Sequence, residues 1–356
     1  MNRRFLASVI TCFSIASAGI ILAQPPASPT AGGRGAAKGG QRPANLATPE
    51  DLAELAKLAN LPPFIKGAGD GDFSTGPDYT PAPEQKQRVG ILHGKLIEFF
   101  MNSAGSKVFP GVNGPFERLV SIYIPAQYVP GTPAPFIFSA DSYGLRDRQL
   151  ADILDNMIAD RRLPVMVAVM VANGPGPERS LEYDTVSPVF GDFVETEILP
   201  RVEKETGVTL TKDPEGRMTY GGSSGGAMAL TMAWYRTERY HRVLSYSGTF
   251  VDLREGPEAP HGAYEYPEHF FPDTAVKPLR IWMHVSENDI GATSASADRR
   301  NWVIANQRLA GVLKAKGYHY QFVYAKNAGH VDAKVISQTL PQALEYVWQD
   351  YPISAK

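Results

Sequence analysis

A serine flanked by glycines is the feature of this sequence that most directly indicates chemistry. The segment Gly221-Gly222-Ser223-Ser224-Gly225-Gly226 follows a short predicted strand, Met218–Tyr220, and precedes a predicted helix, Ala227–Tyr235. A Gly-x-Ser-x-Gly turn between a strand and a helix is typical of a nucleophile elbow, which lifts the serine hydroxyl clear of the sheet. Both Ser223 and Ser224 fit this pattern. The alternative interpretation is an anion-binding turn at a helix N-terminus.

The residues that could activate such a serine lie later in the chain. A hydroxyl group needs a base within hydrogen-bond reach, and the base needs a carboxylate to orient it. His330 follows the predicted strand Tyr320–Ala325 in the loop Asn327-Ala328-Gly329-His330, a position that suits a catalytic base. We expect His284 and His319, which lie within or beside strands, to be packing or hydrogen-bonding residues. The remaining histidines after the glycine-rich segment are His241, His261 and His269.

The orienting carboxylate is expected in a loop that follows an earlier strand. The segment Ser286-Glu287-Asn288-Asp289 lies just past the predicted strand Ile281–Val285. Asp289 is the preferred acid because it lies beyond the strand, where a short loop can turn toward His330. Glu287 lies closer to the end of the strand and is the alternative acid.

The chain between these residues alternates between strand-like and helix-like patterns. The predicted strands are Lys95–Phe100, Phe116–Ile124, Phe136–Ala140, Val165–Ala172, Met218–Tyr220, Val243–Ser247, Ile281–Val285 and Tyr320–Ala325. The predicted helices are Gln149–Asp160, Phe193–Glu205, Ala227–Tyr235, Trp302–Lys316 and Leu340–Trp348. This alternation predicts a mostly parallel sheet with helices on both faces.

Residues 1–23 are typical of an export signal. Two arginines precede an apolar run that ends in small residues, and cleavage is predicted after Ala18 or Ala23. Residues 24–48 are rich in proline and glycine and are predicted to be a disordered tether. We therefore expect an exported protein, periplasmic or extracellular, without a stable membrane anchor.

Residues 49–87 are predicted to be an N-terminal extension, and residues 88–352 a single catalytic domain. Thr48, Pro49 and Asp51 form the pattern of an N-capped helix start. The apolar side of this short helix is predicted to consist of Leu52, Leu55 and Leu58. The segment Asp70-Gly71-Asp72-Phe73-Ser74 resembles the start of a calcium loop, but it lacks a glutamate at the twelfth position, so a plain turn is predicted.

Composition excludes several functional classes. Hydrophobic residues make up 43% and charged residues 20% of the chain, which argues against global disorder. The net charge of −2 provides no basic footprint for nucleic acid. The only cysteine, Cys12, lies within the predicted signal. The sequence contains no phosphate-binding or zinc signature, so no cofactor and no metal are expected.

These residues resemble the putative-esterase family of α/β-hydrolases, which includes enterochelin esterase-like proteins and feruloyl and acetyl-xylan esterases. The resemblance covers about Lys95 to Trp348 and implies the α/β-hydrolase fold. The family pattern Gly-x-Ser-x-Gly-Gly matches Gly221–Gly226 and favours Ser223 over Ser224. The family's Gly-x-x-Asp corresponds to Ser286-Glu287-Asn288-Asp289, with serine in place of glycine.

The resemblance also implies which groups surround the serine. An oxyanion hole needs two backbone N–H donors. One is expected from Ser224, the residue after the nucleophile, and the family match assigns the other to Tyr143, after Asp141-Ser142. Arg179 and Glu182 have a spacing that is familiar in the family, and we interpret them as a structural ion pair below the site.

The expected function is carboxylic ester hydrolysis by a serine esterase. Ser223 would attack the ester, His330 would take the proton, Asp289 would hold His330, and water would resolve the acyl-enzyme. The expected substrate is a small-molecule or polysaccharide-linked ester, with no nucleic-acid partner. The alternatives are an acyltransferase on the same fold and a catalytically silent carbohydrate- or siderophore-binding relative.

Overall fold

A nine-stranded sheet lies at the centre of the protein in the computed structural model, which describes residues 45–142 and 148–353. The strands are β1 (Gly71–Thr75), β2 (Lys95–Asn102), β3 (Glu117–Ile124), β4 (Pro133–Ala134), β5 (Phe136–Ala140), β6 (Val167–Val171), β7 (Thr209–Leu210), β8 (Arg217–Gly222), β9 (Arg242–Tyr246), β10 (Arg280–Asn288) and β11 (His319–Gly329). Their order in the sheet is β1-β11-β10-β9-β8-β5-β6-β3-β2, while β4 and β7 form a separate short pair. Only β2–β3 and β3–β6 are antiparallel among these described strands. The predicted mostly parallel sheet is confirmed.

Helices cover both faces of this sheet. They are α1 (Pro49–Ala56), α2 (Arg148–Ala159), α3 (Glu178–Tyr183), α4 (Val189–Phe193), α5 (Leu199–Thr206), α6 (Ser224–Tyr235), α7 (Phe271–Asp273), α8 (Trp302–Lys316) and α9 (Ala333–Val347). Apolar residues of α4, α5, α6 and α8 pack in one core cluster, and those of α2 and α9 pack in another. A π-helical segment, Val194–Ile198, joins α4 to α5, so the predicted helix Phe193–Glu205 begins earlier than expected.

Strand β6 illustrates why the sheet needs cover on both faces. Its five residues are all buried, with Val167, Val169 and Val171 in one core cluster and Ala168 and Met170 in the other. Side chains alternate between the two faces of a strand. A continuous apolar run is therefore stable only between two helical layers.

The strands that lead to the candidate site are longer than predicted. β10 continues to Asn288 and β11 to Gly329, and the two strands remain paired up to Asn288 and Gly329. The register shifts between Ser286 and Asn288, which marks a local bulge. Across this shift β11 has two residues more than β10, and such a bulge re-aims the side chains that follow it. The loop predicted before His330 is therefore largely the end of β11.

The N-terminal extension differs from the sequence analysis in two respects. Leu55 and Leu58 pack on the core as predicted, but Leu52 is 58% exposed, so that part of the prediction is wrong. The predicted turn at residues 70–74 is also wrong, because Gly71–Thr75 forms β1 and pairs with β11. The predicted capping box of α1 is present, with the Thr48 side chain accepting from the Asp51 N–H and the Asp51 carboxylate accepting from the Thr48 N–H.

The predicted signal peptide and most of the predicted tether lie outside the described residues. The end of the tether, residues 45–48, is instead held against the loop after β10. Asn45 donates to Asp298 from its backbone N–H and its side-chain amide, at 2.9 and 3.0 Å. Within residues 45–142 and 148–353, none of the helices is both long enough and apolar enough to span a membrane.

Candidate active site

Ser223 occupies a strained turn between β8 and α6. Its φ of 58° and ψ of −128° are rare for a residue with a side chain. The turn requires glycine beside it, because a Cβ atom at Gly221 would lie 2.3 Å from the Gly225 carbonyl oxygen. A Cβ atom at Gly226 would lie 2.5 Å from Ser245 Oγ. The local sequence therefore forms the nucleophile-elbow geometry that its glycines predict.

His330 and Asp289 meet this serine in one hydrogen-bonded chain. The distance between Ser223 Oγ and His330 Nε2 is 2.8 Å, and that between His330 Nδ1 and Asp289 Oδ1 is 2.6 Å. The Asp289 side chain is fully buried, whereas that of His330 is 24% exposed. The imidazole is thus within reach of a substrate on one side and fixed by a buried carboxylate on the other.

The buried carboxylate of Asp289 is held as an anion by its hydrogen bonds. Its Oδ1 also accepts from the Ile290 N–H at 2.8 Å, and its Oδ2 accepts from the Ser247 hydroxyl at 2.7 Å and the Ser286 N–H at 3.2 Å. Burial would raise the pKa of Asp289, but the hydrogen bonds and the charge of His330 together lower it. An ionised carboxylate can stabilise an imidazolium ion beside it.

The alternative acid and the alternative serine lie elsewhere. The Glu287 carboxylate accepts the Asn327 N–H at 2.6 Å and belongs to β10, so it pins the end of β11. Ser224 is the first residue of α6 and is buried, and its hydroxyl lies near Asp184. The structure therefore brings together Ser223, Asp289 and His330, and not Glu287 or the Ser224 hydroxyl.

Two other histidines lie on strands, where the sequence analysis predicts packing or hydrogen-bonding residues. His284 is fully buried on β10 and stacks on Trp282 with an interplanar angle of 7°. Burial lowers the pKa of His284 to about 4. The exposed side chain of His319, at the opposite end of β11, contacts Asp70 through Nδ1 at 2.8 Å.

One of the two expected oxyanion donors, the Ser224 N–H, lies among the described residues. The N–H group of Ser224 belongs to the first turn of α6, where N–H groups have no acceptor within the helix. It is therefore available at the helix N-terminus, next to Ser223. Tyr143, the second predicted donor, lies outside the described residues. Asp141 ends the described part of that loop together with Ser142, and its φ is +56°.

The predicted ion pair between Arg179 and Glu182 is wrong. Arg179 instead forms a bidentate pair with Asp141 at 2.9 and 3.0 Å. Glu182 pairs with the buried Arg118, at 2.5 and 3.0 Å. These two pairs join segments far apart in the chain, so the spacing between Arg179 and Glu182 could not indicate them. Both residues form ion pairs, but each has a different partner from the one predicted.

A cavity of about 380 Å³ opens beside Ser223 and His330. Its apolar wall consists of Leu150, Met170, Ile336 and Leu340, and its polar residues include Asp141, Arg179, Gln149 and Tyr220. A larger cavity of about 1080 Å³ lies at β2 and contains none of the residues of the hydrogen-bonded chain. Of these two cavities, the smaller is the candidate active site because it is lined by Ser223 and His330, which are hydrogen-bonded to each other.

No cluster of side chains suited to a metal ion occurs within the described part of the chain. The segment that resembles the start of a calcium loop, residues 70–74, has two carboxylates, and both contact side chains of the protein. Asp70 contacts His319 and Tyr346, and Asp72 contacts Tyr320 and Lys314.

The model of the family described as "Putative esterase" matches residues 115–346. The chain belongs to this family. The predicted resemblance is thereby confirmed, and membership agrees with the predicted enzyme class, a carboxylic ester hydrolase. No curated protein is significantly similar to the chain in sequence.

Solved structures of esterases share the fold. The enterobactin esterase from Shigella flexneri aligns with a TM-score of 0.54 and 20% identity, covering 71% of this chain and 59% of that enzyme. A ferulic acid esterase from the fungus Anaeromyces mucronatus aligns with a TM-score of 0.56 and 16% identity, covering 76% and 96%. The feruloyl esterase module from Clostridium thermocellum aligns with a TM-score of 0.52 and 15% identity, covering 83% and 99%. These likenesses confirm the predicted α/β-hydrolase fold.

Proposed function

We propose that this protein hydrolyses carboxylic esters with Ser223 as the nucleophile, His330 as the general base and Asp289 as the orienting carboxylate. The observation that carries the proposal is the continuous hydrogen-bonded chain from Ser223 Oγ to Asp289, with links of 2.8 and 2.6 Å. Contacts of this length are within the reach needed for proton transfer from a nucleophile to a base. Membership of an esterase family supports an ester as the substrate.

The acylation step uses groups of this chain alone. Ser223 Oγ attacks the carbonyl carbon of the ester while its proton passes to His330 Nε2. The carbonyl oxygen becomes negatively charged and accepts hydrogen bonds from the Ser224 N–H and, in this proposal, from the Tyr143 N–H. His330 then gives its proton to the alcohol oxygen as the C–O bond breaks. The acyl group remains on Ser223.

The deacylation step repeats the same proton transfers with water. His330 Nε2 takes a proton from water, whose oxygen attacks the acyl carbon, and Ser223 leaves with the proton returned by His330. The products are a carboxylic acid and the free serine. Because each proton has a donor and an acceptor within the chain, substrate or water, the proposal requires no cofactor.

The test is a panel of esters assayed on the purified mature protein. Because the solved relatives include esterases of enterobactin and of ferulic acid, the panel contains siderophore lactones and feruloyl esters beside acetylated xylan and short acyl esters. Release of the free acid supports hydrolysis, whereas transfer to an added alcohol in preference to water would assign acyl transfer. EDTA should leave the activity unchanged, because the proposed steps use no metal ion.

Labelling with a fluorophosphonate probe distinguishes an active serine hydrolase from a catalytically silent binding protein. Labelling of Ser223 is expected, because the probe reacts with a serine that a base has activated. An unlabelled protein that is also inactive on every ester would overturn the proposed function.

Export of the protein is a further part of the proposal. It is supported by the apolar segment near the N-terminus, which two arginines precede. N-terminal sequencing of the protein recovered from cells should give a chain that begins at Gly19 or Gln24. An intact Met1 on the recovered protein would contradict cleavage of a signal peptide.

A further inference from the structure

The turn that follows β9 contacts the segment that carries the proposed nucleophile. The Ser223 N–H donates to the Tyr246 carbonyl at 2.9 Å, and the Thr249 N–H donates to the Ser223 carbonyl at 3.1 Å. Both peptide groups of the elbow serine are thus bound by residues 246–249. The strained conformation of Ser223 is therefore held by this turn as well as by the Gly226 and Ala227 N–H groups of its own helix.

The same turn also contacts the segments that carry the acid and the base. The Ser247 hydroxyl donates to Asp289 Oδ2 at 2.7 Å and accepts the Val331 N–H at 3.1 Å. Val331 directly follows His330. One hydroxyl group therefore links the loop of Asp289 to the loop of His330.

We propose that Ser247 is a positioning residue, which fixes Asp289 and the His330 loop in register with each other. The inference rests on the proposed function, in which Asp289 orients His330. Ser247 has no exposed surface, so it cannot contact a substrate. Its effect on the reaction must pass through the two loops that it joins.

The hydrogen bonds of Asp289 explain why one hydroxyl group matters. Each carboxylate oxygen accepts two hydrogen bonds, so the anion is saturated by its neighbours. On Oδ2, the bond from Ser247 is the shorter of the two, at 2.7 Å against 3.2 Å from the Ser286 N–H. Without the hydroxyl, Oδ2 would keep only the longer bond, and the carboxylate could rotate away from His330.

The His330 loop needs the same hydroxyl for a second reason. Val331 has a φ of +48°, which is costly for a β-branched residue. Its N–H group is held by Ser247, and the bond helps to keep the backbone in this conformation. Loss of the acceptor would release the strained residue next to His330.

Ser247 itself has a positive φ of +46°, and this separates two possible roles. Glycine adopts such a conformation without steric cost, whereas alanine retains the steric cost that serine has. Both substitutions remove the hydroxyl group. If only the backbone turn mattered, both variants would preserve activity, because neither glycine nor alanine has a greater steric cost in this conformation than serine. If the hydroxyl matters, both variants lose activity.

The experiment measures kcat and KM for Ser247→Ala and Ser247→Gly on an ester that the wild-type protein hydrolyses. We expect kcat to fall by about ten- to a hundredfold in both variants, the range for a lost hydrogen bond to a charged group, with KM unchanged. The matched control is Ser245→Ala, because Ser245 is equally buried on β9 and its hydroxyl has no hydrogen-bond partner among the described residues. Its kcat should remain within about threefold of wild type.

A second readout does not depend on turnover. The proton between His330 Nδ1 and Asp289 gives a strongly downfield NMR signal when the hydrogen bond is short, and His330→Gln identifies it by its loss. This signal should weaken or shift in both Ser247 variants and persist in Ser245→Ala. If it is unchanged in folded Ser247→Ala and Ser247→Gly and their kcat is that of wild type, the positioning role is overturned. If the wild type hydrolyses no ester but its downfield signal is lost in both variants, the proposed function fails and the positioning role stands.

Discussion

Asp141 and Arg179 form a bidentate ion pair, with 3.0 Å between Asp141 Oδ1 and Arg179 Nε and 2.9 Å between Asp141 Oδ2 and Arg179 Nη2. Asp141 directly follows β5 and begins the loop from which the second oxyanion donor is proposed to come. A Cβ atom at Gly225 would lie 3.2 Å from Asp141 Oδ2, so the same carboxylate also borders the start of α6. The pair therefore fixes the start of that loop beside the elbow serine.

We expect Arg179→Lys to lower kcat by about tenfold or more, because a lysine ammonium cannot bind both carboxylate oxygens in the planar geometry of a guanidinium group. The measurement is steady-state hydrolysis of a short acyl ester. The matched control is Arg88→Lys, which breaks a bidentate pair with Asp160 on the exposed surface, at 2.8 and 3.0 Å. Equal activities in the two variants would show that the Asp141 pair does not support the reaction.

Ser223→Ala should abolish ester hydrolysis and leave the fold intact. Loss of a catalytic nucleophile typically lowers turnover by about 10⁶-fold. Ser224→Ala keeps the backbone N–H proposed for the oxyanion hole, so it should retain activity within about tenfold. Hydrolysis and fluorophosphonate labelling of both variants distinguish the two serines. An active Ser223→Ala beside an inactive Ser224→Ala would assign the nucleophile to Ser224.

Asp289→Asn should lower turnover by several orders of magnitude. An amide cannot stabilise imidazolium and can hold the wrong tautomer of the histidine. Glu287→Gln should change turnover by about tenfold or less, since its carboxylate accepts from the Asn327 N–H and does not reach His330. The circular dichroism spectra of both variants should match that of the wild type, which shows that the compared proteins are folded. The reverse ranking would move the orienting acid to Glu287.

His284 should make the protein less stable in acid. Its pKa is lowered by burial from 6.5 to about 4 in the folded protein. The unfolded chain therefore binds the proton first as the pH falls, and stability present above pH 6.5 is lost progressively down to about pH 4. The loss attributable to this residue is about 3 kcal/mol.

The measurement is urea unfolding of wild type and His284→Gln between pH 7 and pH 4. The variant should lose about 3 kcal/mol less of its free energy of unfolding over this range, whatever its stability at pH 7. Parallel pH dependence in the two proteins would mean that His284 does not remain neutral in the folded core.

Local features of the sequence were sufficient to predict much of the candidate site. A Cβ atom at Gly221 would collide with the Gly225 carbonyl oxygen four residues later, and the Gly-x-Ser-x-Gly pattern itself can be identified without knowledge of the sheet. The continuous apolar run of β6 likewise predicts a buried strand. His330 and Asp289 could be chosen because each directly follows a strand in the expected chain order.

Other contacts could be seen only in the tertiary structure, because they join segments that are far apart in the chain. The partners of Arg179 and Glu182 lie on other elements. The contacts of Ser247 arise because β9 ends between the Asp289 loop and the His330 loop. β1 has the aspartate and glycine of a turn, yet it is a strand because the edge of β11 supplies its hydrogen-bond partners. Spacing along the chain reports steric and periodic constraints among near neighbours, whereas these contacts depend on which elements pack side by side.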